Sequence, residues 1–140
     1  MDYFNYKQDV LFAEEVSLKD IADEYGTPSY VYSRATLERH AKAYTNSFKA
    51  MDGLVCFSVK ALSNISILKV LKDCNCGFDI VSGGELHRAL LAGADPQKII
   101  FSGVGKSEAE MAAGIEQGIL SFNVESESEL MRLERVAAEM

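Results

Sequence analysis

Side chains that ligate metals or cross-link chains are scarce in this sequence. Histidine occurs twice (His40, His87) and cysteine three times (Cys56, Cys74, Cys76). The cysteine count is odd, and Cys74-Asn75-Cys76 is too closely spaced for an unstrained bridge or a CxxC redox motif. With no second cysteine pair, a zinc site is not expected. No apolar stretch reaches membrane-spanning length. The start, Met1-Asp2-Tyr3-Phe4-Asn5, lacks the positive and apolar regions of a secretory signal. A reducing, cytoplasmic setting is therefore expected. Basic charge is also short, 14 Lys and Arg against 21 Asp and Glu, for a net charge of −7. That balance argues against nucleic acid or an anionic membrane surface as a partner. What is present is 140 residues, 48% hydrophobic and 25% charged, the make-up of a folded globular chain of one-domain size.

Residues 1 to 16 mix aromatic and polar groups without a clear period. A short helix follows, with Ser17 as N-cap, Asp20 at its third position and Leu18, Ile21, Ala22 and Tyr25 on one face; Gly26 ends it. Thr27-Pro28 opens a strand over Ser29-Tyr30-Val31-Tyr32. Ser33 caps a helix through Phe48, and Met51-Asp52-Gly53 is the turn out of it. From there a unit repeats. Strands are expected at 54–60, 77–81, 99–102 and 120–124, each followed by a helix: 64–74, 84–92 stopped by Gly93, 107–117 ended by Gly118, and one from Ser126 onward. Strand ends at 60, 81, 102 and 124 give the βα rhythm of a parallel sheet.

Four βα units admit two architectures, a small open doubly wound sheet or part of a (β/α)8 barrel. A complete barrel takes roughly 250 residues. The chain stops inside an amphipathic pattern, Arg132 to Met140, with no C-cap, so a fragment of a barrel is the favoured reading. Half a barrel would leave its outer strands as open edges and helix faces unpartnered. Self-association, or retention by a missing remainder, is then expected.

Lys60 closes the run Leu-Val-Cys-Phe-Ser-Val of residues 54–59, which reads as a buried parallel strand. An ammonium there loses hydration, which lowers the amine pKa and frees its lone pair for attack on a carbonyl, the setting of a Schiff-base lysine. On position alone, a lysine that snorkels out of the strand end is the commoner case. Asp79 lies within the next strand; it either faces the mouth of the sheet near Lys60 or pairs with a neighbouring helix. Ser82-Gly83-Gly84-Glu85 is a βα loop whose glycines let backbone approach a ligand and whose helix N-terminus favours anions. Glu125 has the same ambiguity as Asp79, and His87 and His40 read as surface or structural side chains. Gly103-Val104-Gly105-Lys106-Ser107 invites a P-loop reading, but Ile100 stands where that motif requires its first glycine. Ser107 and Glu110 read instead as a capping box.

The ordered segments Tyr25-Gly26-Thr27-Pro28, Phe57 to Asn64, Gly77 to Leu86, Ile100 to Ser107 and Phe122 to Glu127 resemble the diaminopimelate decarboxylases over essentially the whole chain. These belong to the pyridoxal-phosphate (PLP) decarboxylases and racemases built on an alanine-racemase-like barrel. The resemblance implies an α/β fold: the first four βα units of a (β/α)8 PLP-binding barrel over 33–140, preceded by an N-terminal segment, 1–32, that packs with a β-domain. It implies that Lys60 holds PLP covalently and that Asp79 is the aspartate beside the cofactor, with Glu85 a weaker match in the adjoining loop. It further implies decarboxylation of meso-2,6-diaminopimelate to L-lysine and CO2, by a full-length homodimer.

One departure is Leu62, where the family usually has asparagine, so a polar group near the lysine is lost. The family's ring-stacking imidazole, phosphate loop, pyridine-nitrogen glutamate and cysteine-bearing loop come from later segments. The isolated chain is accordingly expected to be inactive. Two alternatives stay open: another barrel-type decarboxylase, acting on ornithine, arginine or carboxyspermidine, or a non-catalytic PLP-binding fragment.

Overall fold

Ser17, Ser33, Asn64, Ser82, Ser107 and Ser126 each precede a helix, and each side chain accepts a hydrogen bond from a backbone N–H of the first turn. An oxygen at that position satisfies a donor that the helix cannot. The computed structural model describes residues 2–51 and 53–140. Asp52, in the expected turn out of the second helix, lies outside them. The helices are α1 (Leu18–Tyr25), α2 (Arg34–Phe48), α3 (Ile65–Asp73), α4 (Gly83–Leu91), α5 (Glu108–Glu116) and α6 (Glu127–Ala138). Gly26 and Gly93, at φ +82° and +83°, occupy the left-handed backbone that ends α1 and α4.

Residues 1–16 carry no clear period, and within residues 4–17 the chain forms an antiparallel sheet. It comprises β1 (Phe4–Lys7), β2 (Val10–Ala13) and β3 (Val16–Ser17) in that order. Lys7 pairs with Val10 across Gln8 and Asp9, whose φ of 50° and 62° make the tight turn. Neither turn residue is glycine or asparagine, the usual sign of such a turn, so the sequence carries no local hairpin signal here. The strand expected at Ser29–Tyr32 does not form. That segment is irregular, and Tyr30 is 91% exposed. The aromatic and β-branched composition was right for a strand, but no neighbouring strand pairs with it among the described residues.

The second sheet is parallel, with β4 (Cys56–Ser58), β5 (Gly77–Ile80), β6 (Ile99–Phe101) and β7 (Ser121–Phe122) adjacent in chain order. Its strands are shorter than the expected spans. Consecutive helices from α2 to α6 contact one another in turn, so one helix layer covers one face of the sheet. A doubly wound sheet reverses strand order at a switch point and carries helices on both faces. The sequential order seen here is that of barrel winding and excludes the doubly wound alternative. No described helix is long and apolar enough to cross a membrane.

Strand alternation divides the sheet chemically. Phe78, Ile80, Ile99 and Phe101 are fully buried with Leu68, in the core that the helices cover. Phe101 stacks on Phe122 at 5.8 Å between ring centroids. The opposite face carries Ser58, Asp79 and Ile100, aligned by register, and Ser102 by alternation. This explains why β4 is not the buried strand expected: Cys56, Phe57 and Ser58 are all half-buried. Only one of its faces is covered, and it pairs only with β5 among the described residues.

Candidate functional site

Lys60 is not on a strand. The chain leaves β4 through a 3-10 turn, Val59–Ala61, closed by the Leu62 N–H donating to the Val59 carbonyl at 3.0 Å. Val59 is fully buried and Leu62 packs against the core, so the turn is pinned on both sides and Lys60, between them, is exposed. This chain does not supply the desolvation expected of Lys60. Leu62, where a polar group was expected to be missed, serves instead as an apolar anchor of the turn. No hydrogen bond or ion pair among the described residues engages the Lys60 ammonium, which stands at the carboxyl end of the parallel sheet.

Asp79 faces the side of the sheet away from the helices. Ser102 donates to its Oδ1 at 2.5 Å and Ser58, from β4, donates to its Oδ2 at 3.4 Å. Asn123 Nδ2 in turn donates to the Ser102 hydroxyl at 3.0 Å. One polar side chain from the end of each of four neighbouring strands thus forms a continuous line: Ser58, Asp79, Ser102, Asn123. Lys60 follows Ser58 by two residues. Of the two alternatives for Asp79, a helix partner is therefore not the one realised. Both carboxylate oxygens are taken by donors, which fixes the plane of the group.

Ser58, Ser102 and Asn123 lie in or beside the expected strands, and no role is expected of them there. A signal existed: these residues and Asp79 are 21, 23 and 21 positions apart, the period of the βα unit. A polar residue repeated at the period of the strand ends marks the mouth of a parallel sheet, where ligands of such folds bind.

The loops around this line are held by carboxylates. Glu85 does not face the mouth as a free carboxylate; it accepts from the Val81 N–H at 2.8 Å. Glu110 completes the expected capping box with Ser107 and also accepts from the Gly83 N–H at 2.7 Å. That bond, then those from Ser107, hold the Glu110 carboxyl below the usual glutamate range. The N–H of Gly83 is therefore spoken for, and the anion site expected at Ser82-Gly83-Gly84-Glu85 already contains a protein carboxylate.

Lys106, the lysine of the P-loop look-alike, is buried. Its Nζ donates to the carbonyls of Gly103 (2.6 Å) and Asn123 (2.8 Å) and pairs with Glu129 Oε1 at 2.6 Å. With all three protons used internally it has none for a phosphate. The same lysine holds the Glu129 carboxyl below its usual range. Glu125 contributes only its backbone N–H, to Glu129 Oε2 at 2.7 Å, and its side chain is exposed. His40 and His87 are exposed on α2 and α4, and neither bonds to the polar line. Burial, followed by the charge of Asp79, pushes the Cys56 thiol up; all three cysteines are free thiols.

The family described as "pyridoxal-dependent decarboxylase, pyridoxal binding domain" matches residues 34–140. Over the whole chain the sequence is 57% identical to a diaminopimelate decarboxylase of Vibrio cholerae and 54% identical to one of Pseudomonas aeruginosa. In each case the match spans 34% of the relative, so this chain covers about a third of the length of the curated relatives it matches. A crystal structure of diaminopimelate decarboxylase from M. jannaschii in complex with L-lysine superposes with a TM-score of 0.92. It is 34% identical, over 97% of this chain and 33% of that one.

Proposed function

Because the chain belongs to the pyridoxal-dependent decarboxylases through their pyridoxal-binding domain, we propose that it forms part of a PLP-dependent diaminopimelate decarboxylase. The reaction is removal of CO2 from the D-centre of meso-2,6-diaminopimelate to give L-lysine. The observation that carries the reading is the placement of Lys60: an amine that no hydrogen bond or ion pair among the described residues engages, at the mouth of a parallel sheet, two residues beyond the serine that donates to Asp79. A resident carbonyl cofactor needs an amine free to bond to it.

The residues present suit that group. Lys60 would hold the cofactor covalently through Nζ. When bound, PLP supplies an electron sink for the pair released as the bond to carboxylate breaks. Asp79 provides negative charge whose position Ser58 and Ser102 fix; this favours the cationic state of groups drawn up beside it. The Val59–Ala61 turn fixes the base of the lysine stem, while the stem itself is exposed. The division into a segment over 1–32 and a partial barrel over 33–140 belongs to the same proposal. Glu14 joins the two parts, accepting from the Ser33 hydroxyl and the Ala35 N–H at 2.9 Å each. The reading includes a homodimeric full-length enzyme, and three free thiols accord with a reducing, cytoplasmic compartment.

The test is to mix the full-length parent protein with PLP, reduce with borohydride and map the labelled peptide. Label at Lys60, with a visible absorbance band that Lys60→Ala abolishes, is the expected result. Label spread over the other lysines, or none, would overturn the assignment of Lys60. Decarboxylation of diaminopimelate by the full-length parent protein, compared with ornithine and arginine, tests the substrate separately.

A further inference from the structure

We propose that Lys106, paired with Glu129, is a positioning residue for Asp79. It sets the backbone at Asn123, Asn123 orients Ser102, and Ser102 fixes the carboxylate. The consequence for cofactor binding rests on the reading of the mouth as a PLP site; the positioning itself does not.

The argument begins with donor and acceptor capacity. A lysine ammonium has three protons, and those of Lys106 go to Gly103 O, Asn123 O and Glu129 Oε1. The two carbonyls belong to the segments just past β6 and β7, so one side chain ties neighbouring strand ends together. Glu129 Oε2 accepts from the Glu125 N–H, which holds the chain just beyond Asn123. The Asn123 N–H donates to the Phe101 carbonyl at 2.9 Å. Residue 123 is thereby held at its N–H, at its carbonyl and downstream, and its side chain leaves from a fixed base.

The side-chain steps follow in order. A serine hydroxyl has one proton to give. Asn123 Nδ2 donates to Ser102 Oγ at 3.0 Å, which occupies a lone pair and leaves the hydroxyl proton for Asp79 Oδ1 at 2.5 Å. Each bond polarises the next in the same direction, so the series strengthens as a chain. A lysine serving only to close a loop would need neither the Asn123 carbonyl nor the continuity from there to Asp79. A buried charge pair is a costly way to fill space, since well-packed apolar groups of similar volume do so at least as well. What the pair adds is directed donors at two backbone oxygens.

The experiment uses the full 140-residue chain, isotope-labelled, in four forms: wild type, Lys106→Met, the double variant Lys106→Met/Glu129→Met, and Asn123→Ala. The double variant removes both buried charges together and guards against a single variant that does not fold. The readouts are the Asn123 side-chain amide signals and the Asp79 carboxyl carbon shift, with urea unfolding alongside. The expected result is that the double variant folds with both signals displaced, and that its Asp79 shift matches that of Asn123→Ala. A folded double variant with wild-type signals at Asn123 and Asp79 would overturn the proposal and leave Lys106 a loop anchor only.

In parallel, in the full-length parent protein, half-saturation of Lys60 labelling by PLP should rise about tenfold in both the double variant and Asn123→Ala, the effect of losing one orienting hydrogen bond. If the full-length wild type takes up no PLP, the cofactor reading fails, and the two signals still decide the positioning.

Discussion

Glu110 reaches back from the first turn of α5 to accept, at 2.7 Å, the backbone N–H of Gly83, which opens α4 in the preceding unit. The spacing behind this contact recurs. Ser82 and Glu85, Ser107 and Glu110, and Ser126 and Glu129 are serine–glutamate pairs three residues apart, and each serine accepts the glutamate's own N–H. The carboxylate of Glu85 stays within its own unit, while those of Glu110 and Glu129 extend to the one before, at Gly83 and Lys106. One local motif therefore caps helices and also fastens unit to unit.

Replacing Glu110 with alanine should cost about 1–3 kcal/mol, the range for a lost cap and a charge-assisted hydrogen bond. Urea unfolding measures the total, and amide hydrogen exchange at Gly83 isolates the strap. Unchanged exchange at Gly83 would mean that Glu110 acts on its own helix alone.

The pH dependence has a definite sign. Lys106 holds the Glu129 carboxyl below its ordinary value of 4.5, and hydrogen-bonding N–H groups do so for Glu110 and Glu14. A carboxyl whose folded pKa is depressed contributes stability above its unfolded pKa and loses it as pH falls through the folded value. Stability should hold down to about pH 5 and then decline. Glu129→Gln leaves Lys106 buried without a counter-charge, which should cost about 3–5 kcal/mol at neutral pH. The gap between variant and wild type should close as pH drops. A gap constant from pH 7 to pH 3 would refute the assignment.

Two serines donate to Asp79 at different lengths, 2.5 Å for Ser102 and 3.4 Å for Ser58. Ser102→Ala should therefore destabilise by about 1–3 kcal/mol, and Ser58→Ala by less than about 0.5 kcal/mol. Chemical denaturation of the two variants compares them directly; equal effects would show that bond length does not rank these contacts.

Gly77, on β5, has no room for a side chain. An added Cβ would lie 2.4 Å from the Lys98 carbonyl oxygen and 2.9 Å from Cys56 Sγ. Gly77→Ala should cost about 1–3 kcal/mol through overpacking against backbone. Gly84→Ala is the control: its Cβ would find nothing nearer than Ser82 Oγ at 3.8 Å. It should be neutral or stabilising by up to about 1 kcal/mol, since alanine favours a helix. Thermal unfolding of the pair checks both.

Lys60→Ala should leave stability within about 0.5 kcal/mol of wild type, because the side chain is exposed and has no hydrogen bond or ion pair among the described residues. A larger loss in calorimetry would indicate a structural role that the geometry does not contain.

The helices and the parallel rhythm were legible because their signals are local. Ser33 and Ser107 cap within three residues, and the core residues Phe78 and Ile80 alternate with Asp79 within β5. Three features were not legible. The Gln8-Asp9 turn uses residues that many conformations accept. Ser29–Tyr32 has strand composition but no pairing strand among the described residues. Lys106 looks in sequence like a solvent-facing loop lysine, because Glu129 lies 23 residues away.

The sequence by itself determined where helices start and stop, the parallel βα rhythm, and the resemblance through which Lys60 and Asp79 stood out. Each depends on groups within a few residues of one another, or on an ordered set of motifs. Tertiary structure alone decided that Lys60 stands exposed beyond its strand, that Ser58 and Ser102 grip Asp79, and that Lys106 is buried against Glu129. Those contacts join residues one βα unit apart. They exist only once parallel register and the helix layer bring successive strand ends to the same mouth.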